Sequence, residues 1–199
     1  MKTTTEVVVI VRALADRNAR PVLVALDGRS GSGKTTLARQ LAAAVVGGAA
    51  VVEADDFFSG GSLAHWSQRS ARQTADLCID WRRLRQEALV PLLAGKTARW
   101  RPFDWDTEAD LVATPTVRQS SALVILDGAF SSRPELLDLI DYAVLVQAHD
   151  GVRRQRLAGR EGDAFITKWY PIWYEAENYY YAQVRPAESF DAIVATPTC

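Results

Sequence analysis

Gly28-Arg29-Ser30-Gly31-Ser32-Gly33-Lys34-Thr35 is the stretch that most restricts what this chain can become. It follows the apolar run Val22 to Leu26 and opens onto a segment rich in Ala and Leu. A buried strand, a tight glycine turn and a helix are therefore expected in succession. Glycines at these positions let backbone N–H groups converge on phosphate oxygens, and the helix N-terminus adds its positive dipole. The expected nucleotide-binding set is Gly28, Ser30, Gly31, Ser32, Gly33, Lys34, Thr35 and Thr36. Lys34 is suited to the β and γ phosphates, and the Thr35 hydroxyl to Mg²⁺.

Further apolar runs, Ala49 to Val52, Ala122 to Leu126, Tyr142 to Val146 and Ala192 to Ala195, read as buried strands. Helical patterns lie between them at Lys34 to Val46, around Leu77, Trp81, Leu84, Ala88 and Leu92, at Glu135 to Ile140, Val152 to Leu157 and Ala164 to Val184. This alternation predicts a three-layer α/β/α fold with a five-stranded, mostly parallel sheet. Residues 1–20 are expected to add an N-terminal helix begun by the threonines before Glu6, with a strand as the alternative. No repeat or linker-like tract divides the sequence, so residues 1–199 read as one domain.

Composition limits the partners. With 23 Lys+Arg against 24 Asp+Glu, the formal charge of -1 gives no general attraction to nucleic acid or to an anionic membrane. Only four of the cations are Lys (2, 34, 96 and 168), so the cationic side chains are mostly arginines, whose planar fork suits phosphate. Two cysteines, Cys78 and Cys199, make no disulfide framework. The weakly polar stretch Leu41 to Val52 is too short to span a bilayer, and a cytoplasmic location is the expectation.

Two acidic sites should join the glycine loop at the sheet's C-terminal edge, where open α/β sheets bind ligands. Asp127 ends the run Ala122 to Leu126 and suits a metal ion; Asp55, in Asp55-Asp56-Phe57-Phe58, follows the strand at Ala49 to Val52 and suits a general base. Asp56 reads equally well as base or as turn residue.

Together Asp27 to Ala38, Asp55-Asp56-Phe57-Phe58 and Ile125 to Phe130 resemble the uridine kinase and phosphoribulokinase-like group of P-loop kinases, which includes nicotinamide riboside kinases. The resemblance runs from about Val22 to the last strand, and Trp169 to Trp173 with Glu175 and Tyr179 extends it. It implies a P-loop fold with a helical lid, ATP and Mg²⁺ as cofactors, and transfer of the γ-phosphoryl group to a hydroxyl of a small molecule. In that reading Asp55 is the catalytic base, and Asp127 stands where the group carries an acidic residue near the metal. Residues 98–108 are similar to the group's substrate hairpin, so Arg101, Phe103, Asp104 and Trp105 are expected to bind the acceptor. Uridine kinases carry a His a few residues after this motif, where this chain has Asp106-Thr107-Glu108. Residues 153–163 are similar to the arginine-bearing lid, from which Arg156 and Arg160 are expected to stabilise the transferring group.

A nucleoside such as uridine or cytidine is the leading acceptor on this reading. Nicotinamide riboside, another small alcohol or a sugar phosphate remain alternatives. In a different class stands a nucleotide-dependent switch or regulator, although no Asn-Lys-x-Asp guanine motif is present. The aromatic stripe at Phe165, Trp169, Trp173 and Tyr179 to Tyr181 reads as core or as a homodimer interface, with Trp169, Tyr170 and Tyr174 as further candidates for the acceptor pocket.

Overall fold

The computed structural model describes residues 1–107 and 110–196. Glu108, the end of the expected hairpin, and residues 197–199 lie outside it.

Five strands form a wholly parallel sheet: β1 (Val22–Asp27), β2 (Ala49–Glu53) and, after a two-stranded arm made of β3 (Ala98–Trp100) and β4 (Thr116–Arg118), β5 (Leu123–Asp127), β6 (Tyr142–Gln147) and β7 (Ala192–Ala195). Their spatial order, β2-β5-β1-β6-β7, puts β1 at the centre. Every side chain of β1 and β5 is buried, as expected for strands covered on both faces.

α1 (Thr4–Arg17) and α2 (Lys34–Ala44) cover one face. Thr3 and Glu6 form a reciprocal capping box at the start of α1, and Val7, Val11 and Ala15 recur at four-residue spacing on its buried side. The other face is covered by α3 (Leu63–Ser67), α4 (Ala71–Leu77), the run made of α5 (Trp81–Arg83), a widened turn (Leu84–Leu89) and α6 (Val90–Leu93), and later α9 (Tyr170–Tyr179). α7 (Asp150–Glu161) and α8 (Asp163–Lys168) lie between β6 and α9.

Three local details differ from the sequence reading. The helix expected at Glu135 to Ile140 is one turn, Pro134–Leu136, because Asp141 N already bonds Leu23 O as the chain turns into β6. The long helix expected from Ala164 is broken at Trp169, where α8 ends and α9 begins with Pro171 in its first turn, a place that tolerates a residue without an N–H. The arm beginning at Ala98 does not close within 98–108, since β3 pairs antiparallel with β4 and Ala98 faces Arg118.

Among the described residues no helix is long and apolar enough to cross a membrane.

Candidate active site

β1 ends in Asp27, whose fully buried carboxylate anchors the glycine loop that follows. It accepts hydrogen bonds from Gly28 N (2.8 Å), Ser132 N (2.8 Å), Tyr180 OH (3.0 Å) and Tyr181 OH (2.6 Å). Adjacent tyrosines both reach it because the helix widens after α9, where Arg185 N bonds Tyr180 O five residues back. Sequence reasoning placed both tyrosines in a generic aromatic stripe and missed this anchor.

Glycine is required at two points of the loop. Gly28 and Gly31 have φ of +148° and +77°, and a Cβ would lie 2.2 Å from Val146 O at the first and 2.8 Å from Arg153 O at the second. Gly33 precedes α2 with no side-chain cap, which leaves the first N–H groups of that helix open to an anion. Lys34 Nζ lies across the loop, donating to Gly28 O at 2.8 Å and Arg29 O at 3.3 Å. Ser32 Oγ is buried within the loop without a partner, a polar atom awaiting one.

Parallel pairing brings the acidic groups to the same edge. Asp127 is in register with Leu26 of β1 and Glu53 of β2. Close packing of Gly128 on Ala54, where an added Cβ would meet the alanine Cβ at 2.4 Å, holds the end of β5 against the turn that bears Asp55. Asp127 is 6% exposed. Burial raises its carboxyl above the ordinary aspartate value, Lys34 and the Thr35 hydroxyl oppose the rise, and Asp55 adds to it. Asp55 opens to water yet sits in a cleft ringed by protein. Lost solvation raises its carboxyl, against Lys34 and Arg160 and with Glu161. Lys34, Thr35, Asp55, Asp127 and Arg160 thus share one electrostatic neighbourhood.

Asp56 serves structure. Its carboxylate accepts from Trp100 Nε1 at 2.7 Å and its carbonyl from Phe103 N at 2.8 Å, which ties the arm to the turn. Glu53 was not foreseen. Burial, then Asp56, Asp127 and Asp55, raise its carboxyl, and its place as the last residue of β2, level with Asp127, was the available signal.

Of the two lid arginines, Arg156 reaches the loop, with Nη1 3.2 Å from Gly31 O and 3.3 Å from Thr196 Oγ1. Arg160 is largely exposed and pairs with Glu161 at 2.6 Å. Arg153, at the start of the lid-like segment, is fully buried. His149 caps α7.

Two of the four arm residues satisfy the arm itself. Arg101 donates to Leu111 O and Val112 O at 2.9 and 2.8 Å, and Asp104 Oδ1 accepts from Asp106 N and Thr107 N at 3.0 and 3.3 Å. Those amide bonds lower the Asp104 carboxyl. Both side chains hold the turn in shape. The aromatics behave differently. Trp105, 54% exposed, stacks on Phe58 at 5.0 Å, while Phe103 is buried and meets Phe58 edge-on at 5.0 Å. Phe58 also meets Trp173 at 5.8 Å, so an aromatic wall begins three residues after Asp55, with Trp169 stacked behind Trp173. Tyr170 and Tyr174 contact one another.

A cavity of about 390 Å³ lies between α3, α4 and α9, by Trp66, Arg69 and Glu175, and one of about 230 Å³ borders the arm, by Phe58, Asp80, Arg83 and Phe103. Neither is lined by Lys34, Asp55 or Asp127, whose cleft is open. Among the described residues no three His, Cys, Asp or Glu side chains could hold a metal ion together. Mg²⁺ does not need such a cage, because it keeps waters and takes one or two protein oxygens beside substrate phosphates. The hard oxygens of Thr35 and Asp127 beside Lys34 fit that donor set.

No protein-family model matches the sequence, and no curated protein does. Solved structures do. A possible uridine kinase from Bacillus stearothermophilus is 21% identical with a TM-score of 0.71, the match covering 96% of each chain. A protein of Silicibacter sp. TM1040 assigned as a fructose transport system kinase is 20% identical with a TM-score of 0.71, over 97% of this chain and 99% of its own. D-glycerate 3-kinase from Cryptococcus neoformans is 16% identical with a TM-score of 0.62, over 88% and 87%. These likenesses show the fold, a P-loop α/β/α architecture with its phosphate loop after the central strand.

Proposed function

We propose that the chain is an ATP-dependent phosphotransferase that moves a γ-phosphoryl group to a hydroxyl of a small molecule. The observation that carries this reading is the gathering of Lys34, Thr35, Asp55 and Asp127 at the C-terminal edge of the sheet, with Arg160 within electrostatic reach of Asp55. A nucleotide switch needs the first, second and fourth of these. A carboxylate such as Asp55, facing the same cleft from a separate turn, is what a kinase adds.

In the proposed reaction the loop amides and Lys34 hold the β and γ phosphates, with Lys34 exchanging its loop carbonyls for phosphate oxygens. Thr35 and Asp127 would hold Mg²⁺, which when bound neutralises phosphate charge. Asp55 accepts the proton of the attacking hydroxyl, and its raised carboxyl makes it a better base than an ordinary aspartate. Arg160, now on Glu161, turns toward the charge spread over the transferring group. Positioning and electrostatics suffice, with no covalent protein intermediate.

The acceptor is read from the aromatic wall. Phe58, three residues after Asp55, and the exposed Trp105 that stacks on it suit an acceptor that carries a flat ring, as a nucleoside such as uridine or cytidine does, or a nucleoside-like compound such as nicotinamide riboside. The similar structures carry names for uridine, fructose and glycerate chemistry, so the shared element is an alcohol. ADP release should be screened across nucleosides, vitamin-like alcohols and sugar phosphates, with Asp55→Asn as the blank. A ring-bearing alcohol is expected to give the largest Asp55-dependent rate. Strong activity confined to ring-free acceptors would overturn the nucleoside preference.

A further inference from the structure

Ser30, inside the phosphate loop, is held through both of its backbone groups by one buried ion pair. Its N–H donates to Glu177 Oε1 at 2.7 Å, and its carbonyl accepts from Arg153 Nη1 at 3.0 Å. The two side chains meet at 3.4 Å and are 1% and 2% exposed. Removing two charges from water is costly unless their remaining donors and acceptors are also satisfied. Here they are. Arg153 directs Nε and Nη2 to Asp150, and the other bonds of the pair end on Ser30. We propose that Arg153 and Glu177 are positioning residues, which fix the Ser30 peptide and so hold the loop in the shape that receives phosphate.

The surroundings point the same way. Gly31, next in the chain, sits so close to the Arg153 backbone that no side chain fits between them. Arg29 donates to Asn178 Oδ1 at 2.6 Å and lies over the Tyr181 ring at 5.3 Å. Asp27 takes the hydroxyls of Tyr180 and Tyr181. Residues 27–30 are therefore met by residues 177–181, and the Arg153–Glu177 pair adds α7 to this support. An apolar pair would fill the space, but it would leave the N–H and C=O of Ser30 without partners. That requirement accounts for charges in a place that favours hydrocarbon.

The proposal rests on the nucleotide-binding reading of the loop, so the test measures binding without an acceptor. A fluorescent ATP analogue with Mg²⁺ is titrated into the full chain, its Glu177→Gln and Glu177→Ala variants, with thermal unfolding in parallel. Glu177→Gln keeps an oxygen for Ser30 N–H but turns its NH2 toward Arg153, so it is expected to raise Kd by less than Glu177→Ala, which should weaken binding by roughly tenfold or more. The KM of the acceptor at saturating ATP should not move. Equal Kd values for all three proteins, with only the unfolding midpoint lowered, would overturn the proposal.

Should Glu177→Ala fail to fold, Arg153→Lys and the wild-type Ser30 amide serve instead. A lysine cannot reach Ser30 O, Glu177 and Asp150 together, so Kd should rise, and hydrogen exchange at Ser30 N–H should be slow. An unchanged Kd, or exchange at the rate of an open loop, would contradict the idea. A chain that binds the analogue in the expected order yet releases ADP regardless of any alcohol would remove the kinase reading and leave the positioning role intact.

Discussion

Asp55 faces opposite demands from stability and from chemistry. Its carboxyl is raised because the protein packed around it takes away part of its hydration although the side chain stays open to water, so the folded protein binds that proton more tightly than the unfolded chain does. Below the ordinary aspartate value of 3.8 both states are protonated and nothing is lost. As pH rises through the raised folded value, the charged form is penalised only in the folded state, and stability falls. Asp55→Asn should therefore unfold at a higher temperature than wild type at pH 7, and the gap should close below about pH 3.8 in thermal melts across pH. A variant less stable than wild type at neutral pH would contradict the assigned environment. The same substitution should lower phosphoryl transfer by about 10²–10⁴-fold, as expected for loss of a general base, with ATP binding nearly intact. Asp27 is the counter-case, a carboxylate with four donors. Asp27→Asn keeps the shape but turns at least one acceptor into a donor facing donors. It is expected to cost about 1–3 kcal/mol in denaturant unfolding.

At the scale of elements, the parts legible in the sequence were those with a local rule. The strands, the glycine loop, α2 and the capped α1 follow from apolar runs, turn residues and capping spacing. The arm was only half legible. Residues 98–100 find their partners at 116–118, and nothing local announces that pairing, nor the turn role of Asp104 or the use of Arg101 on its own carbonyls. The segment 153–163 resembles a lid in sequence, yet its first arginine is buried. Burial of Arg153 depended on Glu177, 24 residues away within an aromatic tract. Such long-range polar partners carry no periodicity to read. The α1 cap gives a test at this scale: Thr3→Ala removes the side-chain half of the capping box, leaving the Thr3 N–H on Glu6, and should cost about 1 kcal/mol in urea unfolding. No change would mean that α1 is held by Val7 and Val11 alone.

For the whole molecule, the central strand, the glycine loop and the acidic edge lie together at the C-terminal end of the sheet, and Asp56 ties the aromatic arm to that edge. Three carboxyls at that edge, Asp55, Asp127 and Glu53, are raised chiefly by lost solvation, with Lys34 opposing the rise at the first two. Ligand binding should stabilise the fold. Mg²⁺ with ATP at about 100 times Kd is expected to add about 2.7 kcal/mol. The unfolding midpoint would rise by several degrees. Lys34→Ala should remove most of that rise, and a full rise in this variant would contradict the role given to the loop lysine.

The most direct measurement of the central claim follows the phosphoryl group itself, from ATP labelled at the γ position, in the presence of candidate alcohols. The account predicts label on the acceptor, dependence on Mg²⁺ and Asp55, and little inorganic phosphate when the acceptor is absent. Label released only as inorganic phosphate, at a rate indifferent to every alcohol and to Asp55→Asn, would contradict it.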